Sequence, residues 1–233
     1  MAVKVDIEEL FKAGAHFGHK ASKWHPKMAA YIHSERKGGH IINLEKTVEQ
    51  LEKALPLVIE AAKKGGQVLF VATKAQLKAP VKEAAVESGS PYVVERWFGG
   101  MLTNRETMQE RIKRLKTLEA KMESGELASR YSKLEVQRLQ EELDLLEKQF
   151  GGIKEMNALP SVVIVFDGIT NRWAVKEAKK LKIKTILVCD SNVDPSGADI
   201  VVPANDDATS GVTLIANYFR DAVKEGQSEG KES

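Results

Sequence analysis

Five short apolar runs carry most of the information in this chain, because each is bounded by polar or turn-forming residues and most are followed by a helical pattern. They are Gln67-Val68-Leu69-Phe70-Val71, Tyr92-Val93-Val94, Val162 to Phe166, Thr185 to Val188 and Ile200 to Val202. Runs that are apolar at every position, rather than at every second one, predict strands buried on both faces. Between and after them the period changes to that of helices, over Ala75 to Glu87, Arg172 to Leu181 and Ala208 to Lys224. A helix from Asn43 to Lys64 precedes the first strand, with Asn43 placed to cap it and Gly65-Gly66 to end it. Strands alternating with helices in this way predict a doubly wound α/β domain with a mostly parallel sheet.

One stretch breaks the rhythm. From Gly99-Gly100 to Gly151-Gly152 the pattern is long, polar and helical, and the span contains no proline. Met108, Ile112, Leu115, Leu118 and Met122 form one apolar stripe. Val136, Leu139, Leu143, Leu146 and Phe150 form a second at alternating steps of three and four. Ser124-Gly125 is the turn between them. The prediction is an inserted coiled-coil helical hairpin over 104–151, held by an α/β domain of 43–103 and 152–225. A basic N-terminal extension over 1–42 precedes them, and a polar tail over 226–233 is expected to be disordered. In the extension Ile7, Leu10 and Phe11 mark a short amphipathic helix. Strand-like pieces near Ala30 to His33 and His40 to Ile42 suggest a hairpin outside the main sheet.

Charge sharpens this picture. The 233 residues have a formal net charge of only +2, with 42% hydrophobic and 29% charged residues, as in ordinary globular proteins. The distribution is uneven. From Lys12 to His40 stand Lys12, Lys20, Lys23, Lys27, Arg36 and Lys37 against Glu35 alone, so the rest of the chain is net acidic. All five histidines, His16, His19, His25, His33 and His40, lie in the same segment. Local basicity of this kind suits a face laid on a polyanion. Lys20, Lys23, Lys27, Arg36 and Lys37 are candidates for phosphate contacts. His16, His19, Trp24 and Tyr31 offer planar faces to unpaired bases. Arg96 and Trp97 before the hairpin are a further cation and stacking plane, with packing of Trp97 at the hinge as the competing reading. On the first hairpin helix Arg111 and Arg114 are the candidate contacts, and the second helix is acidic.

Candidate chemistry is sparse. Neither a G-x-G-x-x-G nor a Walker A pattern occurs, and Ala72-Thr73-Lys74 after the first strand is not a phosphate-cradling glycine loop. Asp167, Asp190, Asp194, Asp206 and Asp207 collect at strand ends, where a doubly wound fold binds ligands. They suit Mg²⁺ in principle, but Asp167-Gly168 and Asp194-Pro195-Ser196-Gly197 read more simply as turns and caps. The histidines lack the partners of a zinc motif. The expectation is therefore no enzyme, no cofactor and no metal, with an Mg-dependent enzyme and a coiled-coil protein-binding adaptor as alternatives. The single cysteine, Cys189, sits in an apolar run and reads as a buried small hydrophobe. The first residues, Met1 to Asp6, lack a signal-peptide apolar region, and no run reaches the roughly 20 apolar residues that span a bilayer. A cytoplasmic protein without membrane contact is expected.

Three motifs carry a resemblance. Gly14-Ala15-His16-Phe17-Gly18-His19 continuing into Trp24-His25-Pro26-Lys27-Met28, His40-Ile41-Ile42-Asn43-Leu44-Glu45-Lys46-Thr47, and Arg96-Trp97-Phe98-Gly99-Gly100-Met101-Leu102-Thr103-Asn104 with Gly151-Gly152-Ile153-Lys154 closely resemble the bacterial family of ribosomal protein S-two of the small subunit. His25 stands where that family often has Asn, and Lys184 where Pro or Ala is usual. The resemblance implies a flavodoxin-like fold with a protruding hairpin, and Asn104, which ends the third motif before the hairpin, is a further candidate RNA contact. It also implies small-subunit rRNA and neighbouring small-subunit proteins as partners on the ribosome. One of these is the large OB-repeat protein that captures mRNA, which this family helps to recruit.

Overall fold

Each of the five apolar runs becomes one strand of a single parallel sheet in the computed structural model, which describes residues 4–232. The strands are β4 (Val68–Val71), β5 (Tyr92–Val93), β6 (Val162–Phe166), β7 (Lys184–Cys189) and β8 (Ile200–Pro203), in the order β5-β4-β6-β7-β8. All four pairings are parallel. Numbered along the sheet this is 2-1-3-4-5, the flavodoxin-like doubly wound order.

Burial on both faces follows from what alternates along these strands. Phe70, Ile164, Phe166, Ile186 and Val188 point to one face and Leu69, Val71, Val163, Val165, Leu187 and Cys189 to the other. Three helices cover the first face: α2 (Leu44–Lys63), α3 (Lys78–Glu87) and α8 (Thr209–Glu232), with the short α1 (Ile7–Lys12) beside them. Asn43 caps α2 by accepting from the N–H groups of Glu45 and Lys46, at 3.0 and 3.4 Å. The second face packs against α7 (Arg172–Lys180) and the base of the inserted hairpin, through Trp97, Met101, Phe150 and Ile153.

The insertion is α4 (Arg105–Glu123), α5 (Glu126–Arg130) and α6 (Lys133–Phe150). Its two apolar stripes meet as the spacing predicts, with Met108, Leu115, Leu118, Leu146 and Phe150 buried and Ile112, Met122, Val136, Leu139 and Leu143 partly so. Ser124-Gly125 forms the turn, Gly125 in the left-handed region at φ 70°. A second break adds to the single turn that the sequence predicts. At Tyr131-Ser132 the chain leaves α5, and Ser132 and Glu135 form a reciprocal capping box that starts α6. The Ser-x-x-Glu signature was present in the sequence.

The C-terminal end corrects the expected disordered tail. Helix α8 continues through Gly226 to Glu232, Ser233 lying outside the described residues. Polar composition misleads here because the stabilisation comes from close backbone approach. A Cβ on Gly226 would stand 2.3 Å from the Ile59 carbonyl oxygen, and one on Gly230 2.6 Å from that of Lys63. Only glycine lets α8 lie this close to α2, and Lys63 Nζ adds an ion pair with Glu229 at 3.0 Å.

Candidate nucleic-acid interface

The extension folds as its own antiparallel sheet of β1 (Phe17–Lys20), β2 (Ile32–Arg36) and β3 (Gly39–Ile42), ordered β1-β3-β2. Residues 1–3, including the start of the stretch read for a signal sequence, lie outside the described residues. Lys37 and Gly38 connect β2 to β3 with φ of 51° and 76°. Two successive positive φ values are the mark of a type I′ hairpin turn, so the turn itself carries a cation to the tip.

This small sheet is fixed across the carboxyl end of the large one. The His19 N–H donates to Asp190 Oδ1 at 3.0 Å and to Ser191 Oγ at 3.1 Å, and the His25 N–H donates to the Ser191 carbonyl at 2.8 Å. Gly18 permits the approach, since a Cβ there would lie 3.0 Å from the His40 carbonyl oxygen and 3.3 Å from Asp190 Oδ1. Lys27 Nζ donates to Ser196 Oγ at 2.6 Å and pairs with Asp194 at 3.3 Å.

The strand-end aspartates act as internal partners. Asp167, itself at φ 66°, accepts from the Ile169 N–H at 2.9 Å, the Thr170 N–H and the Thr170 hydroxyl, capping the turn into α7. Asp194 accepts from the Ser196 N–H at 3.0 Å, and that bond with the Lys27 charge holds its carboxyl down at about 2. Lys74, at the end of β4, puts Nζ 2.7 Å from Asp206 and 2.6 Å from Asp207. His19 adds Nδ1 2.8 Å from Asp190 and Nε2 3.5 Å from Asp207. His19, Asp206 and Asp207 have ligand-type atoms within 4.8 Å of one another, and the Lys74 ammonium supplies positive charge there. Burial pushes Asp206 up to about 6 against the pull of Lys74. Burial also pushes the Cys189 thiol up, the neighbouring aspartates adding to it, as fits an inert core residue.

The thirteen residues read from sequence as RNA contacts therefore divide. Lys20, Lys23, Arg36, Lys37 and Arg111 are exposed and have no ion-pair partner among the described residues, and Trp24 is 39% exposed with its edge against His40. Four are engaged inside the protein. Trp97 is buried and gives its indole N–H to Glu177, so it anchors the hinge and offers no stacking plane. His19 is turned between Asp190 and Asp207. His16 stacks on Phe11 at 4.4 Å and against Phe17 at 4.0 Å, and burial lowers its pKa. Arg114 is held bidentately by Glu142 across the hairpin, at 3.0 and 2.9 Å. Lys27 is shared with Asp194, Arg96 lies over Phe98 at 5.7 Å, and Asn104 precedes α4 with its side chain making no cap.

Two contributors escaped the sequence reading. Nothing in the pattern marks Lys74, which follows β4 in a loop that is not glycine-rich. Glu177 does carry a signal, as the lone acid in the basic run Arg172 to Lys184 and a neighbour of the apolar positions Ala174 and Ala178.

Fold and site together define a doubly wound, flavodoxin-like α/β protein with a basic sheet across its strand ends and a helical hairpin projecting from one face. Residues 10–226 match the family described as Ribosomal protein S2. The chain belongs to that family, and so is a structural protein of the small ribosomal subunit. The family is generally non-enzymatic, and its members have rRNA and other ribosomal proteins as their class of neighbours. Among the described residues, no helix is long and apolar enough to cross a membrane.

Proposed function

We propose that this chain binds small-subunit rRNA with the basic face of its three-stranded sheet and with the outer face of α4. The observation that carries this reading is the set Lys20, Lys23, Arg36 and Lys37, all exposed and none matched by a carboxylate among the described residues. Of the six Lys and Arg residues between Lys12 and His40, Lys12 pairs with Glu8 and Lys27 with Asp194, so these four are the ones available to neutralise phosphates. Trp24 beside them supplies an exposed ring for an unpaired base. On the hairpin, Arg111 extends the same surface chemistry.

Family membership supports a second element, recruitment of the OB-repeat protein that captures mRNA. A groove of about 540 Å³ between α1 and the extension sheet, lined among others by Ile7, Phe11, His16, Ile41 and Leu44, offers an apolar surface for it. Phe11 is 60% exposed at its edge.

Sedimentation of the tagged chain from lysate on a sucrose gradient, followed by a high-salt wash, tests the proposal. Comigration with the small subunit that weakens in salt is expected. A chain that stays at the top of the gradient contradicts it. Replacing Phe11 with Ala is expected to deplete the OB-repeat protein from the subunit while the chain itself remains bound.

A further inference from the structure

The outer face of α7 presents charge that the proposed interface does not use. From Arg172 to Lys184 the chain carries Arg172, Lys176, Lys179, Lys180, Lys182 and Lys184 against one acid, Glu177, which is turned inward and buried. Lys179 donates to the Ser196 carbonyl and Lys184 pairs with Asp199. Arg172, Lys176, Lys180 and Lys182 are exposed and have no ion-pair partner among the described residues. Steps of four from 172 to 176 to 180 align three of them in one stripe on the helix.

Beside that stripe stands Trp173, 51% exposed although its side chain is among the most costly to leave in water. Lys176 Nζ lies 4.9 Å from the ring centroid and the Arg172 guanidinium carbon 5.9 Å. The groove alongside, about 480 Å³, runs from Arg172 and Lys176 to Asp194 and Ser196. Ser196 is also the residue that Lys27 of the extension reaches, through its hydroxyl at 2.6 Å. The groove beside α7 therefore reaches the extension at Lys27.

We propose that this face is a second RNA-contact surface, in which an unpaired base stacks on Trp173 while Arg172, Lys176 and Lys180 contact the flanking phosphates. An acidic protein segment matches the cations but leaves the indole without a counterpart; a nucleotide matches both, because every base has a π-face and every linkage a negative charge. The inference rests on the reading of the chain as an rRNA binder, and it adds a surface rather than replacing one.

The test is filter retention of deproteinised small-subunit rRNA by the full chain across a salt series. It compares the native chain with Trp173→Ala, Trp173→Phe, the double variant Arg172→Glu/Lys176→Glu and the reference double variant Lys20→Glu/Lys23→Glu. Loss of one base stack predicts about tenfold weaker binding for Trp173→Ala with an unchanged salt slope, and recovery in Trp173→Phe. Loss of two phosphate contacts predicts a slope smaller by about 1.4 for Arg172→Glu/Lys176→Glu. Native affinity and slope in the Trp173→Ala and Arg172→Glu/Lys176→Glu variants, with weakening only at Lys20 and Lys23, overturn the α7 surface and leave the basic sheet standing. Failure of the native chain to bind rRNA overturns both. Weakening in Trp173→Ala that phenylalanine does not recover, with a lowered melting temperature, makes Trp173 a packing residue. Undiminished rRNA affinity with loss from the assembled subunit assigns the face to a protein. Either result contradicts the proposal.

Discussion

Trp97 gives its indole N–H to Glu177 Oε1 at 3.1 Å, joining positions 80 residues apart at the root of the hairpin. The same carboxylate accepts from the N–H groups of Gly100, Leu102 and Thr103 at 2.7, 3.0 and 3.1 Å and from the Thr103 hydroxyl at 3.0 Å. One buried acid on α7 thus organises the whole loop that launches α4. Burial by itself raises the pKa of such a group. The N–H groups of Gly100, Leu102 and Thr103 and the Trp97 indole outweigh burial and hold it below its ordinary value of 4.5.

Removal of that acceptor leaves several donors unmatched. Glu177→Ala is expected to destabilise the protein by about 3 kcal/mol or more, since each buried donor without a partner costs about 1–3 kcal/mol. A carboxyl with a depressed folded pKa contributes stability that is present above its unfolded value of about 4.5 and is lost as pH falls through the lowered folded value. Urea unfolding of the native chain below about pH 4.5 should therefore lose a contribution that Glu177→Ala lacks throughout. Parallel pH profiles for the two proteins contradict this account.

Asp206 carries the opposite sign. Its folded pKa of about 6 lies above its ordinary 3.8, mainly through burial and further through Asp167 and Asp190, so its contribution to stability declines as pH rises from 3.8 through about 6. Lys74 limits that decline. Lys74→Met is expected to move the Asp206 midpoint above about 6 and to cost about 3 kcal/mol near pH 8, less near pH 5. Carbon NMR of the carboxyl groups checks the midpoint, and a value at or below that of the native chain removes Lys74 from the explanation.

Gly226 reports on the C-terminal end. A methyl group there meets the Ile59 carbonyl oxygen at 2.3 Å, so Gly226→Ala is expected to cost about 1–3 kcal/mol despite its better helix propensity. Hydrogen exchange should show amides around 226–230 protected in the native chain and exchanging freely in the variant. Equal protection in both means the close approach of α8 to α2 is not what orders this end.

The sheet was legible because its strands are apolar at every position, and the hairpin seam because its apolar residues repeat at helical steps. Boundaries that depend on tertiary contact were not. The polar end of α8 is ordered by two glycines resting on α2, and no pattern of hydropathy encodes that. The site was legible as charge but not as availability. Both Trp24 and Trp97 offer a ring beside cations in the sequence, and only the fold shows that Trp97 is buried in the apolar cluster at the hairpin base with its N–H on Glu177 while Trp24 stays exposed. Arg111 and Arg114 likewise differ only in that Glu142 lies opposite the second.

Contact of the four unmatched cations of the extension sheet with rRNA phosphates is measured by the salt dependence of rRNA binding, for the native chain and for a variant with Lys20, Lys23, Arg36 and Lys37 all replaced by Gln. Each lost phosphate contact lowers the slope of log affinity against log salt by about 0.7 for single strands and 0.9 for duplexes, so a slope smaller by about 3 is the predicted result. A variant that keeps the native slope contradicts the account, because it shows that these four residues release no counterions on binding.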